Sequence, residues 1–145
     1  MKKQENWKFT YKGIYNQMRK IKYKIYYRQS VKYNYACWKV TELKFTEDGV
    51  EAYIKEDDNP YYVGEDCWLV QFTGLLDRTG KEIYEGDILC ATGELVNNRG
   101  ESFPYDKNNV VEYKGSGFTG LDYGGSVEVE VIGNIYENSE LLNKE

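Results

Sequence analysis

A chain of 145 residues, 41% hydrophobic and 16% aromatic, is long enough for one domain with a single buried core. It has no histidine, which removes the commonest general base and metal ligand, and no apolar run approaching the ~18 residues of a membrane span or the h-region of a signal peptide. The net charge is −5; only two prolines argue against a Pro-rich linker, and three widely spaced cysteines with no Cys-x-x-Cys against a disulfide framework or a zinc site.

Residues 1–20 carry Trp7, Phe9, Tyr11, Ile14, Tyr15 and Met18 among lysines and read as a basic, aromatic extension, with a short helix as one form of it. Ile14, Met18, Ile21 and Ile25 have helical spacing. Ile21, Tyr23, Ile25 and Tyr27 also alternate with Lys22, Lys24 and Arg28 as a strand would, so both periods fit over residues 12–28. A β domain is expected over 21–145. Residues 35–45 read as a strand through Trp38, Val40 and Leu43. Glu47-Asp48-Gly49 reads as a hairpin turn, because Asp-Gly suits the positive φ of a tight two-residue loop, and 50–54 as the returning strand. Residues 55–65, with Glu56, Asp57, Asp58, Asn59 and Pro60, read as a polar loop.

Residues 67–73 alternate as a strand should, and Gly74 is expected to end it. Asp77-Arg78-Thr79-Gly80 is a turn signal, since Asp bonds the backbone ahead of it and Gly tolerates positive φ. Ile83-Tyr84 is a short apolar step, Glu85-Gly86-Asp87 a second turn, and Ile88-Leu89-Cys90 the opening of the next strand. Residues 93–109, rich in Asn, Gly and charge, read as a long loop of the kind that is uncommon in a compact domain unless it is mobile or functional. Val110-Val111-Glu112-Tyr113 reads as a strand, 115–125 as a Gly-rich loop, 127–136 as the closing strand, and Ser139–Asn143 as a last turn of helix or coil.

The stretch Gly74-Leu75-Leu76-Asp77-Arg78-Thr79-Gly80-Lys81-Glu82-Ile83-Tyr84-Glu85-Gly86-Asp87-Ile88-Leu89 resembles the signature of the YopX family of phage and prophage proteins. A second block, Glu130-Val131-Ile132-Gly133-Asn134-Ile135-Tyr136-Glu137-Asn138 followed by Glu140-Leu141-Leu142, is similar to that family's C-terminal ending. Ile21-Lys22-Tyr23-Lys24-Ile25-Tyr26 resembles the family's opening strand, and Lys32-Tyr33-Asn34-Tyr35 the segment after its first turn, although Arg28-Gln29-Ser30 stands where an acidic turn is usual. The resemblance implies a mostly β, SH3-like, partly open barrel with long loops, and no established activity. Gly74, Asp77, Gly80, Glu85, Gly86, Asp87, Gly133 and Asn134 are assigned to folding.

No catalytic set is legible. Serines lack a histidine partner, and none sits in Gly-x-Ser-x-Gly. Gly115-Ser116-Gly117-Phe118-Thr119-Gly120 fits a dinucleotide fingerprint but lies between strands, so a hairpin loop is the preferred reading. The Asp57-Asp58 and Glu65-Asp66 pairs match no calcium-loop spacing and read as solvated acids. No enzyme, cofactor or metal is expected.

Charge is unevenly placed. Residues 1–40 hold 11 basic residues and one acid, a net of +10, and the remainder holds 8 basic and 23 acidic, a net of −15. Trp7, Lys8, Lys12, Arg19, Lys20, Lys22, Lys24 and Arg28 form the candidate interaction face. It is expected to meet the acidic body or a second copy in a homo-oligomer, then another protein; the alternative is nucleic acid, with cations on phosphates and aromatics on bases. The expected protein is cytoplasmic, away from membranes, with reduced cysteines, and acts by non-enzymatic binding, a host-directed or counter-defence inhibitor being one such role.

Overall fold

The computed structural model describes residues 20–29, 35–121, 123 and 126–143. Its first strand, β1 (Tyr23–Arg28), is central. It pairs antiparallel with β2 (Tyr35–Thr46) on one side and with β5 (Cys67–Leu76) on the other, so Ile25 stands opposite both Trp38 and Leu69. Ile25 and Tyr26 are both buried, on opposite faces, because β1 is covered on both sides. That settles residues 23–28 as strand. The helix expected further toward the N-terminus, and the extension apart from Lys20, lie outside the described residues.

β2 returns through Glu47-Asp48 into β3 (Gly49–Ile54), and Lys55-Glu56 turn the chain into β4 (Asp57–Tyr62). The first turn is displaced by one residue from the sequence expectation: Gly49, at φ 137, already pairs with Thr46, and Glu47 and Asp48 fill the loop. The loop expected at 55–65 is instead largely an edge strand, with Asp57 opposite Ile54 and Tyr61 opposite Ala52. An edge tolerates Pro60, whose missing N–H costs no ladder bond there, and leaves the acids in water.

β5 leads to β6 (Glu82–Tyr84), completing a six-stranded sheet in the order β4-β3-β2-β1-β5-β6. β7 (Asp87–Val96) lies between β8 (Ser102–Val110) and β11 (Glu128–Asn134), and β9 (Glu112–Lys114) pairs with β10 (Gly117–Thr119). The expected loop at 93–109 is a correction: β7 and β8 form a hairpin in unbroken register from Ile88↔Val110 to Val96↔Ser102. Its tip closes on Asn97, whose Oδ1 accepts from Arg99 N (2.9 Å) and Glu101 N (3.0 Å). Toward the tip Glu94, Val96, Phe103 and Pro104 are exposed, so the segment carries loop composition on strand backbone. The expected strand at 110–113 breaks at Val111, which turns inward against the Gly86–Asp87 corner. The Gly115 motif is the β9–β10 hairpin, and Ser139–Asn143 is a 3-10 turn.

The described residues are therefore mostly β, with no α-helix among them, and their sheets do not close into a barrel. Three buried clusters hold them. Ile25, Ala52, Ile54 and Cys67 form the first, although β2 separates β1 from β3; register shifts at Val40/Glu42 and Ala52/Ile54 let the sheet bend over itself. Tyr26, Val70, Phe72 and Tyr84 form the second, and Ile83, Leu89 and Val111 the third. β6 joins the last two, since Ile83 and Tyr84 point to opposite faces.

Candidate functional site

The signature residues organise the corner between the sheets. Asp77 Oδ1 accepts from Thr79 N (2.8 Å), Thr79 Oγ1 (2.6 Å) and Lys81 N (3.0 Å), which closes the turn before β6. Its Oδ2 accepts from Val131 N (2.9 Å), tying that turn to β11. Burial pushes the Asp77 carboxyl up, but these hydrogen bonds outweigh it and hold the group well below the usual carboxylate range. Asp87 Oδ2 accepts a single backbone bond, from Tyr84 N (2.7 Å). Burial dominates there and raises it to about 6, against that bond and the cations Lys24 and Lys81. Glu85 N donates to Gln71 O (2.9 Å). Gly86, at φ 83, donates to Val111 O and accepts from Ile135 N, and a Cβ there would lie 3.1 Å from Tyr136 Cε2.

The second block meets the first at this point. Asn134 Oδ1 accepts from Tyr136 N and Glu137 N (both 3.0 Å), and a Cβ at Gly133 would lie 2.7 Å from Asn138 Oδ1. The turn so formed seats Tyr136 on Tyr26, their rings stacked 4.6 Å apart. Gly80, at φ 88, ends the Asp77 turn in open space. Asp77, Gly86, Asp87, Gly133 and Asn134 thus close turns or tie one turn to another.

Gly74 does something else. The expected strand end is a bulge at φ 89: β5 continues to Leu76, and the five residues Phe72 to Leu76, paired at their ends with Tyr84 and Glu82, stand opposite the three of β6. Thr73 holds it, its hydroxyl donating to Ile83 O (2.8 Å) and accepting from Leu75 N (3.2 Å). The bulge turns Leu75 and Leu76 outward, 51% and 57% exposed, beside a groove of about 560 Å³ whose walls include Phe72, Lys20, Lys22 and Glu82. Lys22 Nζ pairs with Glu82 and stands 5.1 Å from the Phe72 ring centroid. Glu82 also accepts from the Tyr84 hydroxyl (2.8 Å), and Lys22 first, then Tyr84, holds it below the ordinary range.

Of the interaction face expected from sequence, Trp7, Lys8, Lys12 and Arg19 lie outside the described residues. Lys20 and Lys22 meet at this groove. Lys24 stands over Tyr84, 4.0 Å from its centroid, and Arg28 pairs with Asp66 at the far end of β1. The four described cations thus form no single patch. Sequence reasoning missed Phe72, Leu75 and Leu76; the only signal was two successive leucines after a glycine, where alternation stops.

The family model described as YopX protein matches residues 10–143. Among solved structures, the crystal structure of protein EF1440 from Enterococcus faecalis is similar at 21% identity and a TM-score of 0.46, covering 87% of this chain and 100% of that one. No curated protein matches. The family match runs through the bulge, the Asp77 and Gly86 turns and the Gly133-Asn134 turn that packs on them, and the chain belongs to the YopX family.

Proposed function

We propose that this protein works by non-enzymatic binding of a protein partner, with the groove at the Gly74 bulge as its contact surface. The observation that carries the reading is the pair Leu75 and Leu76, presented to solvent on backbone that Thr73 holds in place. Apolar side chains gain about 25 cal/mol per Å² on burial, and a bulge backbone fixed by hydrogen bonds has less ordering to lose than a free loop. Lys22 is paired with Glu82, which among the described residues leaves Lys20 as the groove's surplus charge. The surface suits a partner segment with apolar side chains and a carboxylate. A second copy in a homo-oligomer and a host protein are both occupants of this kind.

Family membership supplies the setting we propose: a phage or prophage accessory protein in the host cytoplasm, acting on a host component as an inhibitor or counter-defence factor. Cys37, Cys67 and Cys90 are free thiols, which suits a reducing compartment. No helix among the described residues is long and apolar enough to cross a membrane. The SH3-like architecture implied by the family resemblance belongs to the same proposal. Nucleic-acid binding by the basic N-terminal face has less support, since Lys22 and Arg28 are already engaged by Glu82 and Asp66.

The test is capture of a partner from host lysate by the full chain and by Leu75→Glu, with melting temperature as the control for folding. The expected result is a partner held by the parent and lost from a variant that melts normally. A partner held equally by both, or none held by the parent, overturns the reading.

A further inference from the structure

A second groove, of about 530 Å³, lies at the opposite end of β1, beside the edge strand β4. Tyr27, Tyr61 and Tyr62 contribute aromatic walls, and Asp57, Glu65 and Asp66 contribute carboxylates. Tyr62 is 67% exposed, while Tyr61 is fixed between Tyr27 and Trp38 at centroid distances of 5.2 and 5.3 Å. Aromatic faces beside carboxylates favour cations, through ring quadrupole and charge together. One of the carboxylates is already met by a cation: Arg28 pairs with Asp66. Among the described residues Asp57 and Glu65 have no ion-pair partner, so three carboxylates against one arginine leave a surplus of two negative charges.

The chain supplies matching charge. Residues 1–19 contain Lys2, Lys3, Lys8, Lys12 and Arg19 against Glu5, five cations and one acid, a net of +4. They also bring Trp7, Phe9 and Tyr11. The segment joins the body at Lys20, at the other end of β1. From Lys20 to Arg28 is eight residues, about 26 Å at strand rise. Nineteen residues reach up to roughly 65 Å when extended. We propose that the acidic tyrosine groove beside β4 receives the basic N-terminal segment, residues 1–19, of its own chain. The tether favours the same chain over a second copy, because it raises the local concentration of the segment without any new contact.

Contact so made neutralises the groove and withdraws the basic segment from polyanions. It is independent of the Gly74 groove, whose leucines take no part, so the two proposals fail separately.

Zero-length carbodiimide cross-linking of the full chain, followed by peptide mapping, tests it. The expected links join Lys2, Lys3, Lys8 or Lys12 to Asp57, Glu65 or Asp66, run in the monomer band, and fade at high salt. Asp57→Asn with Glu65→Gln keeps the shape of both side chains and removes their charge. It should lower the yield of these links about fivefold without lowering the melting temperature. Links to acids elsewhere, no links at all, or a yield unchanged in the double variant would overturn the proposal. Links confined to a dimer band would assign the groove to a second copy and overturn the intramolecular contact.

Discussion

Asp77 and Asp87 are both buried, 6% exposed each, yet they respond to burial in opposite directions. Four donors converge on Asp77 and keep it ionised; one reaches Asp87. The stabilisation from Asp77 is fully present above its unfolded value near 4 and is lost as pH falls below it. Asp87 has the reverse sign. Between about pH 4 and its folded value of about 6, the folded chain holds a proton that the unfolded chain has released. Its contribution therefore falls as pH rises through that window. Asp87→Asn keeps an oxygen for Tyr84 N and removes the titration. Urea unfolding at pH 4 and pH 7 should show the variant gaining on the parent by on the order of 2–3 kcal/mol at the higher pH. Equal differences at the two values would show that Asp87 is not held protonated by burial. At Gly86 two costs coincide, positive φ and the 3.1 Å approach to Tyr136, whereas Gly80 has the positive φ alone. Gly86→Val should lower stability by about 1–3 kcal/mol, and by more than Gly80→Val, in the same unfolding assay.

At the scale of elements, β6 is the strand whose loss would cost most for its length. It has three residues, and Ile83 and Tyr84, both 1% exposed, enter different cores. Ile83→Ala should destabilise by about 2–5 kcal/mol, read as a lower urea midpoint with an unchanged slope. Turns and strands near β6 were legible in the sequence because each carries a chemical marker: Asp77 and Gly80, Gly86, Asn134. β1 is harder, since Ile14, Met18, Ile21 and Ile25 keep helical spacing while Ile21, Tyr23, Ile25 and Tyr27 alternate, and only pairing with β2 and β5 decides between the two periods. β4 and the outer part of the β7–β8 hairpin have the composition of loops, because Asn, Asp, Pro and Gly mark loops on average. On an edge or on a two-sided ribbon such residues need fill no core, and backbone pairing decides. The groove was not legible either. Exposure of Leu75 and Leu76 depends on a bulge held by the Thr73 hydroxyl, which depends in turn on β6 being close enough to accept its bond.

Across the whole molecule, the charge division between the first 40 residues and the rest is bridged at two described points, Lys22–Glu82 and Arg28–Asp66. Exposed pairs of this kind contribute up to about 1 kcal/mol each, so stability rests on the three buried clusters and the bridges orient β1 on the body. A scaffold held this way has apolar residues to spare at its surface: Leu75 and Leu76 at the bulge, and Phe45, 79% exposed, on the β2–β3 hairpin. Only the first pair lines the larger groove. The dissociation constant of the captured partner, measured for the parent, Leu75→Glu and Phe45→Glu, separates a dedicated surface from incidental exposure. A dedicated surface at the bulge predicts that Leu75→Glu weakens binding about tenfold or more while Phe45→Glu leaves it unchanged. Loss of affinity from Phe45→Glu with Leu75→Glu unaffected would contradict it.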